Sequence, residues 1–197
     1  MRLALILCVV AGCGGASFPS PPTANDPDYP AGPYGYGPRN TLPDLLFAAK
    51  VVPVGGDAAA TPAQMISLGR LRTPDVRAFV IAASAEWCSD CVDDQPAMMQ
   101  LEAKYGSRGI VAIELLDEAA PGVAPTLDNL DRWSAAYSVS GTIALDANKT
   151  FEAAAGITAF PTYFVVYAPH MNIAYETTTP LVAAPLDPAL DSIVGAP

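Results

Sequence analysis

Apolar positions along the chain fall into short runs of two kinds. Ala78-Phe79-Val80-Ile81-Ala82-Ala83 is continuously apolar and short, the pattern of a strand buried on both faces. Ile110-Val111-Ala112-Ile113-Glu114-Leu115-Leu116 predicts a second such strand, parallel to the first, with a helix from about Ser89 to Tyr105 between them. Thr126 to Tyr137 puts Leu127, Leu130, Ser134 and Tyr137 on one helical face, with Trp133 beside it as a core residue. Ile143-Ala144-Leu145 predicts a short strand and Asn148 to Ala155 a short helix. Pro161 to Tyr167 and Asn172 to Thr177 predict a hairpin that turns through Ala168-Pro169-His170-Met171. A last helix starts at Asp187-Pro188, with the aspartate as N-cap and proline in the first helical position. Upstream, Leu42 to Val54 predicts a short hairpin and Thr61 to Leu71 a turn and a short helix. Strands that alternate with helices, then a hairpin and a helix, predict an α/β domain with a central mixed sheet flanked by helices.

The first 40 residues follow neither period. Met1 to Ala11 carries one positive charge and then an apolar run too short for a bilayer-spanning helix, which needs about 20 residues. It reads as a secretory signal. Its end, Val10-Ala11-Gly12-Cys13, resembles the bacterial lipobox, which implies cleavage before Cys13 and acylation of that cysteine. Gly14 to Asn40 is crowded with Pro, Gly, Ser and Tyr and predicts a tether, although its tyrosines have the alternative of packing on the domain. The expected organisation is therefore a signal peptide over 1–12, a lipidated cysteine and tether over 13–40, and one folded domain over 41–197. Gly14 after the acylated cysteine favours the outer membrane, since an aspartate there would indicate inner-membrane retention.

Composition narrows the partners. Of 197 residues, 51% are hydrophobic, which suits one sizeable core. Twenty acidic residues against ten basic ones give a formal charge of −10, a surface that repels nucleic acid and anionic headgroups. Membrane attachment should accordingly be covalent.

The cysteines carry the candidate chemistry. Of four, Cys8 leaves with the signal and Cys13 becomes a thioether, so Cys88 and Cys91 remain as thiols. A disulfide between residues so close closes a loop too short to restrain the unfolded chain much, so reactivity explains the pair better than stapling. Ala85-Glu86-Trp87-Cys88-Ser89-Asp90-Cys91 follows the strongest strand and opens a helix. Unsatisfied backbone amides there favour the thiolate of Cys88, and Cys91, one turn along, can attack a mixed disulfide formed on it. Zinc needs two further ligands, and there is no second Cys/His pair. The lone His170 is expected in an exposed turn, without a role. Met98 and Met99 are expected to pack.

With Pro96 five residues after Cys91, and Gly156-Ile157-Thr158-Ala159-Phe160-Pro161-Thr162 downstream, the chain resembles thioredoxin-like proteins. The resemblance implies a thioredoxin fold. It implies a cis Phe160–Pro161 bond beside the cysteines, with Phe160 and Pro161 holding a substrate segment and Trp87 contacting it. Ala82 stands where cytosolic thioredoxins carry a buried aspartate. Asp94, three residues after Cys91, resembles the acid of the TlpA/ResA group of membrane-anchored reductants, there a glutamate, which implies a proton acceptor near the inner cysteine. Protein disulfides would be the substrates and a membrane dithiol donor the recycling partner, for a monomer without a bound cofactor, in the cell envelope and facing the periplasm. Negative charge from Glu86, Asp90, Asp93 and Asp94 would raise the Cys88 thiol pKa and favour a reductant. Two further readings remain open. One is a peroxidase of the peroxiredoxin kind, weakened by Ala85 where that family carries Thr or Ser. The other is a binding lipoprotein that keeps the fold without turnover.

Overall fold

The computed structural model describes residues 27–38, 40–53, 56–137, 141–182 and 185–195. The signal segment, the lipobox with Cys13, and the first part of the tether lie outside the described residues. In chain order the elements are β1 (Leu46–Val52), β2 (Gln64–Ser67), α1 (Leu68–Leu71), β3 (Ala78–Ala85), α2 (Ser89–Asp93), α3 (Gln95–Tyr105), β4 (Ile110–Glu118), α4 (Leu127–Tyr137), β5 (Gly141–Leu145), α5 (Thr150–Ala155), β6 (Thr162–Tyr167), β7 (Asn172–Thr177) and α6 (Asp187–Val194). Among the described residues the strands form one sheet in the order β2-β1-β5-β4-β3-β6-β7.

β3 is buried along its whole length, because β4 pairs with it in parallel on one side and β6 antiparallel on the other. With neighbours on both edges and helices on both faces, every side chain of AFVIAASA must be apolar or small. Alternation along β3 splits the core. Phe79, Ile81 and Ala83 pack on one face with Phe47, Ile113, Phe151 and Phe164. Ala78, Val80 and Ala82 face Met98, Leu101 and Tyr105 of α3 and Leu190 of α6. Each large side chain withdrawn from water here contributes roughly 1.5–3 kcal/mol. A third cluster, at the C-terminal end of β3, joins Ala85, Cys88 and Cys91 to Leu130 and Trp133 of α4. The cysteines are thus placed where sheet, α2 and α4 meet.

The mixed sheet, the parallel β3–β4 pair and the closing β6–β7 hairpin agree with the sequence expectations. Elsewhere local pattern misled. Leu42 to Val54 is not a hairpin: it holds the single strand β1, whose hairpin partner β2 comes after a long connection. The helix expected over 89–105 is interrupted at Asp94, with Pro96 in the first turn of α3. In α4, Leu130, Trp133 and Ser134 face inward as expected, but Leu127 is exposed and Asn129 is buried. Leu186, not Asp187, caps α6. The Asp187 carboxylate faces α3, bonded to Lys104 and Tyr105.

Within the Pro/Gly-rich stretch, Tyr29 and Tyr36 pack on the domain, the alternative open to its tyrosines. Tyr29 is buried and its hydroxyl donates to the carbonyls of Leu42 (3.0 Å) and Pro43 (3.2 Å). Tyr36 packs edge-on against Phe151, with ring centroids 5.8 Å apart. No helix among the described residues is long and apolar enough to cross a membrane.

Candidate active site

β3 delivers the chain to a turn at Glu86-Trp87, after which Cys88 caps α2 with extended backbone. Its sulfur takes the capping position and accepts the Cys91 amide at 3.0 Å. A hydrogen bond from backbone nitrogen to this sulfur favours a negative sulfur over a neutral one. Cys88 and Cys91 are joined by a disulfide, with Cα atoms 5.3 Å apart. Cys88 retains 5% of its surface and Cys91 1%, so the outer sulfur is the one with access.

Opposite the disulfide lies the loop before β6. The Phe160–Pro161 bond is cis, as the resemblance implies. Phe160 packs against the same cluster as the cysteines, and its ring meets Trp87 edge to face at 6.0 Å and 82°. Trp87 is 48% exposed, an aromatic rim beside the outer sulfur. Its indole nitrogen donates to Glu118 at 2.9 Å, and Glu118 is ion-paired with Lys149. Burial pushes the Glu118 carboxyl up, but bonds from Lys149, the Gly122 amide and Trp87 outweigh it and hold the group below the ordinary glutamate value. Asn129 of α4 donates to Glu86 at 2.7 Å, and Arg132 pairs with the same carboxylate, so α4 braces the turn before Cys88.

The structure thus brings Trp87, Cys88, Cys91, Phe160 and Pro161 together. It places Asp94 at the α2–α3 junction with no exposed surface, accepting from the Tyr163 hydroxyl (2.6 Å), the Leu181 amide (2.6 Å) and the Val182 amide (3.0 Å). Both of its oxygens are engaged in tying α3 to β6 and to the segment before α6. His170 is exposed in the β6–β7 turn, its ring tilted at 58° to that of Tyr167 with centroids 5.8 Å apart. Trp133 is buried, as expected, against Tyr137. Among the described residues no group of His, Cys, Asp and Glu has the arrangement of a metal site. Of the charges expected around Cys88, Glu86 is paired and Asp94 is enclosed, while Asp90 and Asp93 are exposed.

Three residues went unnoticed in the sequence. Glu118 braces Trp87. Gln95 and Glu114 form a buried polar link beneath Cys91, where Gln95 Nε2 donates to the Cys91 carbonyl and to Glu114 Oε1, both at 3.1 Å. A lone acid inside the apolar run from Ile110 to Leu116 was the visible signal for Glu114, because an unneeded charge is rarely kept in a strand buried on both faces.

No family model matches the chain, and no curated protein does. Solved structures do. One, from Chlorobium tepidum and provisionally named a thiol:disulfide interchange protein DsbE, superposes with a TM-score of 0.62 at 18% identity, over 82% of this chain and 100% of that one. A thioredoxin family thiol:disulfide interchange protein from Chlorobium tepidum TLS gives 0.52 at 21% identity, over 78% and 99%. A reduced 2-Cys peroxiredoxin from Plasmodium vivax gives 0.56 at 9% identity, over 78% of each chain. With the sheet order and the cis Phe160–Pro161 loop, these likenesses show that the chain has the thioredoxin fold.

Proposed function

We propose that this chain is a thiol–disulfide oxidoreductase of the bacterial cell envelope that reduces protein disulfides through Cys88. The observation that carries the proposal is the position of Cys88, at the capping point of α2 with the Cys91 amide on its sulfur, beneath Trp87 and Phe160. In the reduced enzyme the Cys88 thiolate attacks one sulfur of a substrate disulfide. A Cys88–substrate bond forms and the other substrate sulfur leaves as thiolate. Cys91 then attacks Cys88, releases the second substrate thiolate and leaves the Cys88–Cys91 disulfide. Two electrons pass from the pair to the substrate, and the released thiolates take protons from solvent. Phe160 and Pro161 hold the substrate segment against the pair, and Trp87 lends apolar contact area. The resemblance to the TlpA/ResA group implies Asp94 as acceptor of the proton that Cys91 must lose.

The exposed carboxylates of Asp90 and Asp93 support the reductant direction. The acidic chain, its signal-like start and the lipobox-like sequence at Cys13 support a lipid-anchored monomer facing the periplasm, on the outer membrane. A membrane dithiol donor re-reduces it. Insulin reduction and peroxide consumption, each with a Cys88→Ser control, test the proposal. Insulin reduction that disappears with Cys88→Ser is the expected result. Peroxide consumption dependent on Cys88 without insulin reduction would make the protein a peroxidase. Activity in neither assay would make it a binding protein.

A further inference from the structure

Glu114 is 2% exposed in a strand that is otherwise apolar apart from its last residues, and the chemistry above gives it no task. It sits in register with Ala82 on the neighbouring strand, beneath the end of the sheet that carries the cysteines. A single carboxamide links it to them: the two hydrogens of Gln95 Nε2 go to the Cys91 carbonyl and to Glu114 Oε1. On its other side is a cavity of about 10 Å³, near the room of one water, reached past Glu102, Met99 and Thr142. Met99 is exposed, so the cavity lies close to solvent. Asp94, by contrast, has both oxygens occupied by three donors.

We propose that Glu114 takes up the proton that Cys91 must lose when it resolves a mixed disulfide, acting on the pair as a positioning residue through Gln95 and through its own charge. The inference rests on the oxidoreductase reading for its biological use, but not for its test. The physical argument is charge conservation in a dry pocket. With the Glu114 carboxylate ionised and Cys91 a thiol, these two groups together carry one negative charge, in a pocket that already feels the charge of Asp94. A Cys91 thiolate beside an ionised Glu114 would make two, in a region where each is costly. Transfer of the proton from Cys91 Sγ to the Glu114 carboxylate keeps the charge at one and frees the sulfur to attack. The Cys88–Cys91 bond forms, the bond from Cys88 to the bound sulfur breaks, and that sulfur leaves as thiolate. Glu114 returns its proton to solvent past Glu102.

Burial moves Glu114 up to about 7. The Asp94 charge adds to this, while the Ser84 hydroxyl and Gln95 oppose it. A carboxyl that titrates there both accepts and returns a proton near neutrality. The charged and titratable groups around it are Asp94 at the α2–α3 junction, Glu102 on α3 and Tyr163 on β6. Tyr163 is itself pushed up by burial and by its bond to Asp94.

The probe is 5,5′-dithiobis(2-nitrobenzoate), added to the reduced chain. Cys88 releases one coloured thiolate on forming the mixed disulfide, and Cys91 releases a second on resolving it. The wild-type second step is expected to rise with pH through an inflection near 7. Glu114→Gln keeps the shape and the Gln95 contact. It should slow the second step about tenfold or more at pH 7, abolish that inflection and leave the first step within about twofold. Gln95→Met, which breaks the link but leaves the carboxyl, should shift the inflection without abolishing it. A second step with unchanged rate and pH profile in Glu114→Gln overturns the inference. If insulin is not reduced but the second step still depends on Glu114, the oxidoreductase reading fails and the proton coupling stands.

Discussion

Replacing Asp94 with alanine should destabilise the domain by about 3–5 kcal/mol. The carboxylate is fully enclosed and accepts three hydrogen bonds, from the Tyr163 hydroxyl, the Leu181 amide and the Val182 amide. Val182 is largely exposed and its amide can turn to water, so the main cost falls on Tyr163 and Leu181, both buried. A buried donor left without a partner costs about 1–3 kcal/mol, and bonds to a charged acceptor stand at the upper end of the usual range. Two such donors, with a small loss of packing, give the stated figure, a large share of the 5–15 kcal/mol typical of a domain. Asp94→Asn retains the shape but turns an NH2 group toward incoming donors, so it should cost about half as much. Urea unfolding with the disulfide intact, followed by tryptophan fluorescence, measures both, and hydrogen exchange at the Leu181 and Val182 amides should quicken in each variant. A loss below about 1 kcal/mol in Asp94→Ala, with exchange unchanged, would refute the idea that this carboxylate holds the segment before α6.

Two more outcomes follow from the same geometry. Glu114 binds its proton more tightly in the folded state, at about 7, than in an unfolded chain, so its contribution to stability falls as pH rises from about 4.5 through 7. The loss is roughly 3 kcal/mol in total. Burial also raises Asp117, which adds to that trend, while Glu118 and Asp187 are held low and lose their contribution at acid pH. The comparison is therefore between wild type and Glu114→Gln, whose stability advantage in urea should grow from pH 5 to pH 8; parallel profiles would contradict it. Gly109, before β4, has φ +89, and a Cβ there would lie 2.3 Å from the Asp75 carbonyl. Gly109→Ala should lower stability by about 2–4 kcal/mol, measured by the same unfolding assay.

Much of the architecture was visible in short segments because the physics there is local. The runs at Ala78 and Ile110 are apolar for the reason they are central, with sheet neighbours on both edges and helices on both faces. The cysteines were found by spacing, since one turn of helix fixes their separation, whereas the Phe160-Pro161 loop, some 70 residues on, was placed beside them only by the resemblance to thioredoxin-like proteins. What stayed hidden depends on pairing at a distance. β1 reads as half of a local hairpin until its antiparallel partners at Gln64–Ser67 and Gly141–Leu145 are known. Lys50, in the middle of that strand, carries a charge that local pattern alone would send to the surface. It is buried because its ammonium reaches the Ala58 carbonyl and Asp131. Asp94 stood out by its offset from Cys91, yet the three donors that enclose it come from about 70 and 90 residues downstream. Glu114 is on the page as a single acid among hydrophobes, but only the β3–β4 register and Gln95 connect it with the sulfurs.

Trapping tests the central claim, that Cys88 is the sulfur which meets the substrate. With Cys91→Ser, a disulfide substrate such as oxidised insulin should remain bound through Cys88 as a stable mixed disulfide, released by dithiothreitol and identified by peptide mass. With Cys88→Ser no comparable adduct should form, because Cys91 is enclosed. Adducts on Cys91 at a similar rate, or none on Cys88, would contradict the account.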